Sequence, residues 1–281
     1  MLLLGIRRED RFSPNRISND KAIFDAVCSR LSSADNMLFK MRESEFALDG
    51  VDDASVFDAV FHLCRSDKAL AHLVQIERNG VPVVNSPSAV INCRRANQVR
   101  LLSDSDTAFV KGRVVASGHF PDDWDCFPCW LKRGDTHALE ADDVRFAADR
   151  TEAVEIMDGI VTRGTGEVVI QEHVPGKIIK FYGVGDGLLF RYKFLDNLSE
   201  GKFGLESHNE LGVADVDEDM FRMEVIRIAD KLGVDAYGGD AVATPDGHLV
   251  IVDFNDWPSF FMCREEAADA IAEVILRKCQ R

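Results

Sequence analysis

One stretch near the C-terminal end, YGGDAVATPDGHLVIVDFNDWPSF, constrains the chain more than any other. Two apolar runs flank Asp246-Gly247, a pair that turns a β-hairpin in two residues. With those two as the loop, Pro245 faces His248, Ala243 faces Val250, Ala241 faces Val252 and Asp240 faces Asp253. Asn255 lies two residues beyond Asp253, so strand alternation puts it on the same face. Like charges directly opposed across a ladder repel, and such a hairpin implies a cation between them. Two carboxylates and an amide oxygen, with positions left for water and phosphate oxygens, suit magnesium at a nucleotide better than a closed calcium cage. A metal role is therefore expected for Asp240, Asp253 and Asn255. The competing reading leaves either aspartate in solvent at a frayed strand end, and a one-residue slip would turn Asp253 to the other face.

The rest of the chain alternates strand and helix signals. Leu2 to Ile6 reads as a buried strand, Ile17 to Leu31 as an amphipathic helix, Val56 to Cys64 as a strand, Lys68 to Arg78 as a helix and Val81 to Val84 as a short strand. This is a βαβ pattern with a parallel sheet. One or two helices follow over Ser86 to Leu102, opened by Ser86-Pro87. Thr107 to Val115, Cys129 to Lys132 and Glu167 to Glu172 are strand-like around a helix at Thr151 to Gly159. Strands at Ile178 to Val184 and Leu188 to Phe194 precede a helix from Asp217 to Leu232, the hairpin, and a last helix from Glu265 to Lys278. The expected units are 1–104, 105–172 and 173–281. Ser199 to Asp215, with three glycines and little pattern, is the candidate loop over a site.

Charge narrows the function. Against 33 Lys plus Arg stand 48 Asp plus Glu, a formal net charge of -15, which argues against a nucleic-acid partner because that affinity comes from clustered basic residues. The opening MLLLGI is too short for a signal sequence and no run of about 18 apolar residues occurs, so a soluble cytoplasmic protein without a membrane partner is expected. The seven cysteines are odd in number and scattered, as reduced core thiols are. Cys126 and Cys129 form a CxxC, but a strand rather than a helix follows it and no second pair completes a zinc site.

Fixed positive charge for phosphates has one local candidate. Lys132 ends the strand CWLK beside a turn, a good position for a phosphate ligand, although such a lysine also serves as an ordinary snorkelling surface residue. No GxxxxGK[ST] and no GxGxxG follows a strand, so P-loop and Rossmann binding lose support. Taken together, the ordered parts NSPSAVINCRRANQVRLL, Lys132, VVIQEHVPG, IIKFYGVG, FRYK and GGD...VDFNDWPSF resemble the ATP-grasp superfamily over most of the chain. The resemblance implies an α/β (α+β) ATP-grasp fold: an N-terminal βαβ unit followed by two α+β subdomains that sandwich ATP. It also implies adenine and ribose contacts at Gln171, Glu172 and Val174, phosphate contacts at Lys132 and Arg95, and two magnesium ions on Asp240, Asp253 and Asn255.

Within that superfamily the motifs look nearest to the inositol-trisphosphate kinase branch. Asp253, Asn255 and Pro258 match its Asp-x-Asn-x-x-Pro ending, Thr136-His137 its Ser/Thr-His pair, which makes His137 a candidate phosphate contact against the alternative of an exposed loop histidine, and Lys180 its lysine after the hinge. The chain departs from that pattern in a shorter loop from Lys132 to His137, in Ser259 after the final proline, and in Cys263 where a substrate-binding serine is expected. The span 172–193 carries four basic and two acidic side chains, and Arg191 and Lys193 share a strand face, so with Lys180 they are candidates to clamp phosphate or an anionic acceptor. Arg7, Arg8, Arg11 and Arg16 follow the first strand, where open α/β sheets bind ligands, and with Ser259 they are candidates for a small anionic substrate. Three functions compete: a phosphotransferase acting on a hydroxyl, a carboxylate-amine ligase working through an acyl phosphate, and a nucleotide-binding protein without catalysis.

Overall fold

The structure, a computed structural model, describes residues 1–13, 17–33, 36–51, 53–116, 118–196, 208–210 and 212–280. Leu3 to Ile6 are buried, as befits a central strand covered on both faces. That strand, β1 (Leu2–Arg7), pairs in parallel with β2 (Met37–Arg42) on one side and with β3 (Ala59–His62) on the other, and β4 (Val83–Val84) extends the sheet beyond β3. The order β2-β1-β3-β4 is joined by α1 (Ile17–Ser33), α2 (Glu43–Asp49) and α3 (Asp67–Arg78). The pair β2 and α2 has no counterpart in the sequence reading. Its strand lies at the sheet edge with Met37 and Phe39 in solvent, so the alternation that marks a half-buried strand is missing. Likewise the strand expected from Val56 begins only at Ala59, because Asp53 caps a short helical turn over Ala54–Val56.

Two helices, α4 (Pro87–Asn92) and α5 (Arg95–Leu102), lead to a four-stranded antiparallel sheet. Its strands are β5 (Gly112–Ala116), β6 (Cys129–Arg133), β7 (Val144–Ala147) and β8 (Glu167–Glu172), in the order β5-β8-β6-β7, with α6 (Arg150–Thr162) packed beneath. The N-terminus of α6 is fixed by Asp149, whose carboxylate accepts from the Glu152 N–H. The expected strand from Thr107 starts late, at Gly112, because Ala108 to Val110 bond instead to Ile251 in the third sheet. That crossing ties the second sheet to the third.

The third sheet, in the order β10-β9-β11-β12, is antiparallel and comprises β9 (Lys177–Val184), β10 (Leu189–Phe194), β11 (Ala236–Ala243) and β12 (Leu249–Asp256). Helix α7 (Glu218–Leu232) is capped by Asp217 and ends at Gly233, whose φ of 74° is the left-handed conformation glycine adopts without penalty. The final helix α8 (Arg264–Lys278) returns to the first unit: Ile271 and Ile275 share one core with Leu3, Ile23, Val27 and Phe61. Each such buried side chain contributes about 1.5–3 kcal/mol. Packing of this size, rather than the few tenths per residue of helix propensity, holds α1 and α8 in place. Most of Ser199 to Asp215, the candidate loop, lies outside the described residues. No helix among the described residues is long and apolar enough to cross a membrane.

Candidate functional site

Asp240 does stand opposite Asp253, but by a different route from the two-residue turn. Thr244 N–H bonds to the His248 carbonyl at 2.9 Å and Gly247 N–H to the Thr244 carbonyl at 3.0 Å, so the loop is Pro245-Asp246-Gly247. Proline presets the first position of a type I turn and Gly247, at φ 86°, supplies the left-handed residue that closes a three-residue hairpin. The register near the turn is therefore shifted by one, with Ala243 facing Leu249 and Ala241 facing Ile251. A bulge then inserts Val252 and restores the pairing of Asp240 with Asp253. The freed Val252 carbonyl accepts from Lys132 Nζ at 3.2 Å, so the irregularity itself joins the metal hairpin to the lysine strand.

β12 is the edge of its sheet, and its outer backbone groups need partners. Gln98 of α5 supplies them. Its Nε2 donates to the carbonyls of Phe254 at 2.5 Å and Cys93 at 2.6 Å, and its Oε1 accepts from Phe254 N–H at 3.1 Å. One buried amide thus stands in for a neighbouring strand between Asp253 and Asn255.

The two carboxylates sit among cations. Lys180, paired with Asp240 across the ladder, reaches its Oδ1 at 2.7 Å, and Arg95 Nη2 lies 3.6 Å from Asp253 Oδ2. Asn255 Nδ2 is 3.4 Å from the same oxygen. Lys132 is buried, which pushes its ammonium down to about 8, while Asp253 opposes that fall. Among the described residues no cluster of three or more His, Cys, Asp or Glu is arranged to hold a metal by itself. Two carboxylates and one amide fit an ion that completes its coordination with water and phosphate oxygens.

These groups line a cavity of about 310 Å³ between the second and third sheets. Its lining includes the apolar side chains of Val110, Val144, Ile178, Val242 and Val252 and the indole of Trp130. Gln171 also lines it, 3% exposed, and its Oε1 has no partner among the described residues. The chain after β8 is held taut there: Glu172 N–H bonds to Lys111, His173 N–H to Pro128, and Trp130 Nε1 donates to His173 Nδ1. Asn209 Nδ2 donates to the Val174 carbonyl at 2.9 Å.

On the side of the first sheet, three lining residues meet on Asp256, which has no role in the sequence reading. Asp256 is 1% exposed and takes Arg65 Nη2 at 3.0 Å, His137 Nε2 at 3.1 Å and Arg8 Nη2 at 3.8 Å. Arg8 also donates to Asp20 at 2.9 Å and to the Leu63 carbonyl at 2.9 Å. Arg8 follows β1 and Arg65 follows β3, the two strands that flank the point where the order of the parallel sheet reverses. Open sheets bind ligands there, and that rule, applied to β3 as well as β1, would have found Arg65.

Of the expected site residues, Arg8, Arg95, Lys132, His137, Gln171, Glu172, Val174, Lys180, Asp240, Asp253, Asn255 and Ser259 all line this one cavity. His137 is turned toward Asp256 rather than standing free. Four others do not line it. Arg191 and Lys193 sit on the edge strand β10, where Arg191 pairs with Glu266 of α8 and Lys193 with Asp196. Arg11 pairs with Glu9 at 2.5 Å in solvent, and Arg7 lies outside, beside Asp10 and Lys21. Arg16 lies outside the described residues. Cys263 is buried at the N-cap of α8 and away from the cavity. Cys126 and Cys129 are free thiols, and burial pushes Cys129 up to about 11, the reverse of a reactive thiolate.

No protein-family model and no curated protein matches the sequence. Solved structures match the fold over its whole length. A D-alanine–D-alanine ligase from Bacillus anthracis, solved with ATP, superposes with a TM-score of 0.73 at 12% identity, covering 100% of this chain and 99% of its own. A RimK domain ATP-grasp protein from Sphaerobacter thermophilus gives 0.64 at 18% identity, over 97% and 99%. The ATP-grasp ligase PsnB, solved with a precursor peptide and AMPPNP, gives 0.58 at 15% identity, over 99% and 98%. The chain has the ATP-grasp fold. These neighbours lend no support to the inositol-trisphosphate kinase branch.

Proposed function

We propose that the protein is an ATP-dependent ligase that joins a carboxylate to an amine through an acyl phosphate. The observation that carries this reading is the single cavity in which an apolar lining, three cations and the pair Asp240 and Asp253 meet, on a fold shared with ligases. The alternative drawn from the sequence thereby replaces the kinase as the leading reading, because the likeness to kinases rested on short motifs and the likeness to ligases extends over the whole fold.

ATP fits the cavity by its chemistry. The apolar lining of Trp130 and the valines accepts a flat base, and Gln171 Oε1, without a partner among the described residues, accepts from an exocyclic amine such as that of adenine. Glu172 lines the cavity where a ribose would follow. Lys132, Lys180 and Arg95 would hold the phosphates, and Asp240, Asp253 and Asn255 would hold magnesium. Magnesium, when bound, neutralises charge on the transferring phosphoryl group. Phosphate oxygens would take Lys180 from the carboxylate of Asp240, and the buried Lys132 would gain an anionic partner that opposes the burial holding its ammonium down at about 8. Arg65 and Arg8 approach the carboxylate from the first sheet.

The bond changes balance simply. A carboxylate oxygen attacks the terminal phosphorus of ATP, and the bond to the bridging oxygen breaks to release ADP. The amine nitrogen then attacks the acyl carbon, loses a proton, and inorganic phosphate leaves. Positioning and charge neutralisation supply the acceleration, so no dedicated base is required for the first step.

The test follows the oxygen. With a carboxylate labelled with ¹⁸O in the presence of Mg-ATP and an amine, one labelled oxygen should appear in the inorganic phosphate. A stable phosphorylated hydroxyl product, with no phosphate released, would restore the kinase. ATP binding indifferent to magnesium, with no turnover on any acceptor, would leave a nucleotide-binding module.

A further inference from the structure

Three aromatic rings, Phe12, Tyr182 and Phe261, line the same cavity as Asn255. Resting on the ligase reading above, we propose that the carboxylate substrate carries an aromatic or comparably bulky apolar body, seated against Phe12, Tyr182 and Phe261. These three rings come from three separate segments: the turn after β1, strand β9 and the loop after β12. Tyr182 meets Phe261 edge-on, with centroids 6.2 Å apart at 89°, and Phe260 at 5.5 Å.

The loop that carries Phe261 is bent to present it. Trp257 has φ 33° and Phe260 φ 47°, conformations that side-chain-bearing residues adopt only where surroundings impose them. Here packing and a hydrogen bond impose them. Trp257 is fully buried, stacks on Phe61 at 6.3 Å, and its carbonyl accepts from Arg8. Phe260 is fully buried as well, so the bend sends one phenylalanine into the core and the next, 37% exposed, toward the cleft. A solitary exposed phenylalanine needs no explanation. Three rings lining one cavity with Arg65, Asn255 and Ser259 make a different case, because the polar side chains can take the charged end of a molecule while the rings take the rest.

The subsite is tested with hydroxylamine as the amine, which turns each activated carboxylate into a hydroxamate. The panel contrasts acetate and alanine with 3-phenylpropionate and phenylalanine. Aromatic carboxylates should exceed the small ones in kcat/KM by about tenfold or more, the scale on which apolar pockets discriminate. Phe261→Ala should remove most of that advantage through KM, Phe261→Leu should retain part of it, and Phe12→Ala should act in the same direction. Equal efficiency across the panel, or a preference unmoved by both truncations, overturns the aromatic subsite and leaves the ligase standing. Absence of hydroxamate from every carboxylate overturns the ligase. In that event calorimetric binding of 3-phenylpropionate against acetate, with Mg-AMPPNP present, still decides the subsite, and equal affinity refutes it.

Discussion

Replacing Gln98 by methionine keeps the length of the side chain and removes both its donor and its acceptor. In the structure that amide serves three buried backbone groups: the Phe254 N–H, the Phe254 carbonyl and the Cys93 carbonyl. Each buried polar group left without a partner costs about 1–3 kcal/mol. Relaxation of the sheet edge toward water would recover part of this, so the expected loss is about 2–4 kcal/mol. The damage should be local in origin, because Phe254 lies between Asp253 and Asn255. Equilibrium unfolding in urea should show a lower midpoint at unchanged slope, and the magnesium concentration that half-saturates ATP turnover should rise. Both readouts matter, since loss of stability alone would make Gln98 an ordinary core residue. Unchanged stability and unchanged magnesium dependence in Gln98→Met would refute the view that this side chain replaces a strand at the metal hairpin.

Asp253→Asn should abolish magnesium-dependent turnover, a fall of at least about a hundredfold, because an amide binds a hard cation far more weakly than a carboxylate. Its unfolding curve should match that of the parent, and full activity would remove the metal assignment. Gly239→Ala should destabilise the fold, because a Cβ there would stand 2.1 Å from the Asp253 carbonyl and 2.6 Å from the Phe181 ring; an unaltered thermal midpoint would contradict it. His62 supplies a pH test. It is buried, which pushes it down to about 4, and both ring nitrogens are used: Nε2–H donates to the Asn85 carbonyl and Nδ1 accepts from Cys64 N–H. Between its ordinary value near 6.5 and about 4 the unfolded chain takes a proton that the native state refuses. Stability from this group is therefore complete above about pH 6.5 and falls with pH below it, by up to about 3 kcal/mol. Urea midpoints at pH 7.5 and 5.0 should show the decline, and a His62→Gln variant with the same slope would assign it elsewhere.

How much of this was legible in the sequence depended on whether a residue acts through its own strand or through a distant one. Asp240, Asp253 and Asn255 share one hairpin, so alternation and a turn signal were enough to bring them together, even with the loop length wrong. The error cancelled because the three-residue turn shifted the register by one and the bulge at Val252 shifted it back. Periodicity carries no trace of a bulge, since the inserted residue is as apolar as its neighbours. Arg191 and Lys193 show the converse: their shared face was read correctly and is the one that carries Tyr182 and Lys180, but β10 is the edge strand, one strand beyond those lining residues, and Arg191 there pairs with Glu266 of α8. Sheet order is set by pairings over long separations, and local charge density says nothing about it. Asp256 was passed over for a related reason. It ends a strand already supplying Asp253 and Asn255 to one face, and nothing local in the sequence singles it out. Its burial comes from Arg8, Arg65 and His137, which arrive from 119 to 248 positions away and converge only when the parallel sheet, the loop after β6 and β12 meet. The loop after β12 follows the same logic. Nothing in the composition of DWPSFF distinguishes Phe260 from Phe261, yet the positive φ at Trp257 and Phe260 sends them to opposite fates. If the aromatic subsite selects the substrate, specificity in this fold is decided by backbone conformation at two residues outside any regular element, which is the part of a sequence that pattern reads least.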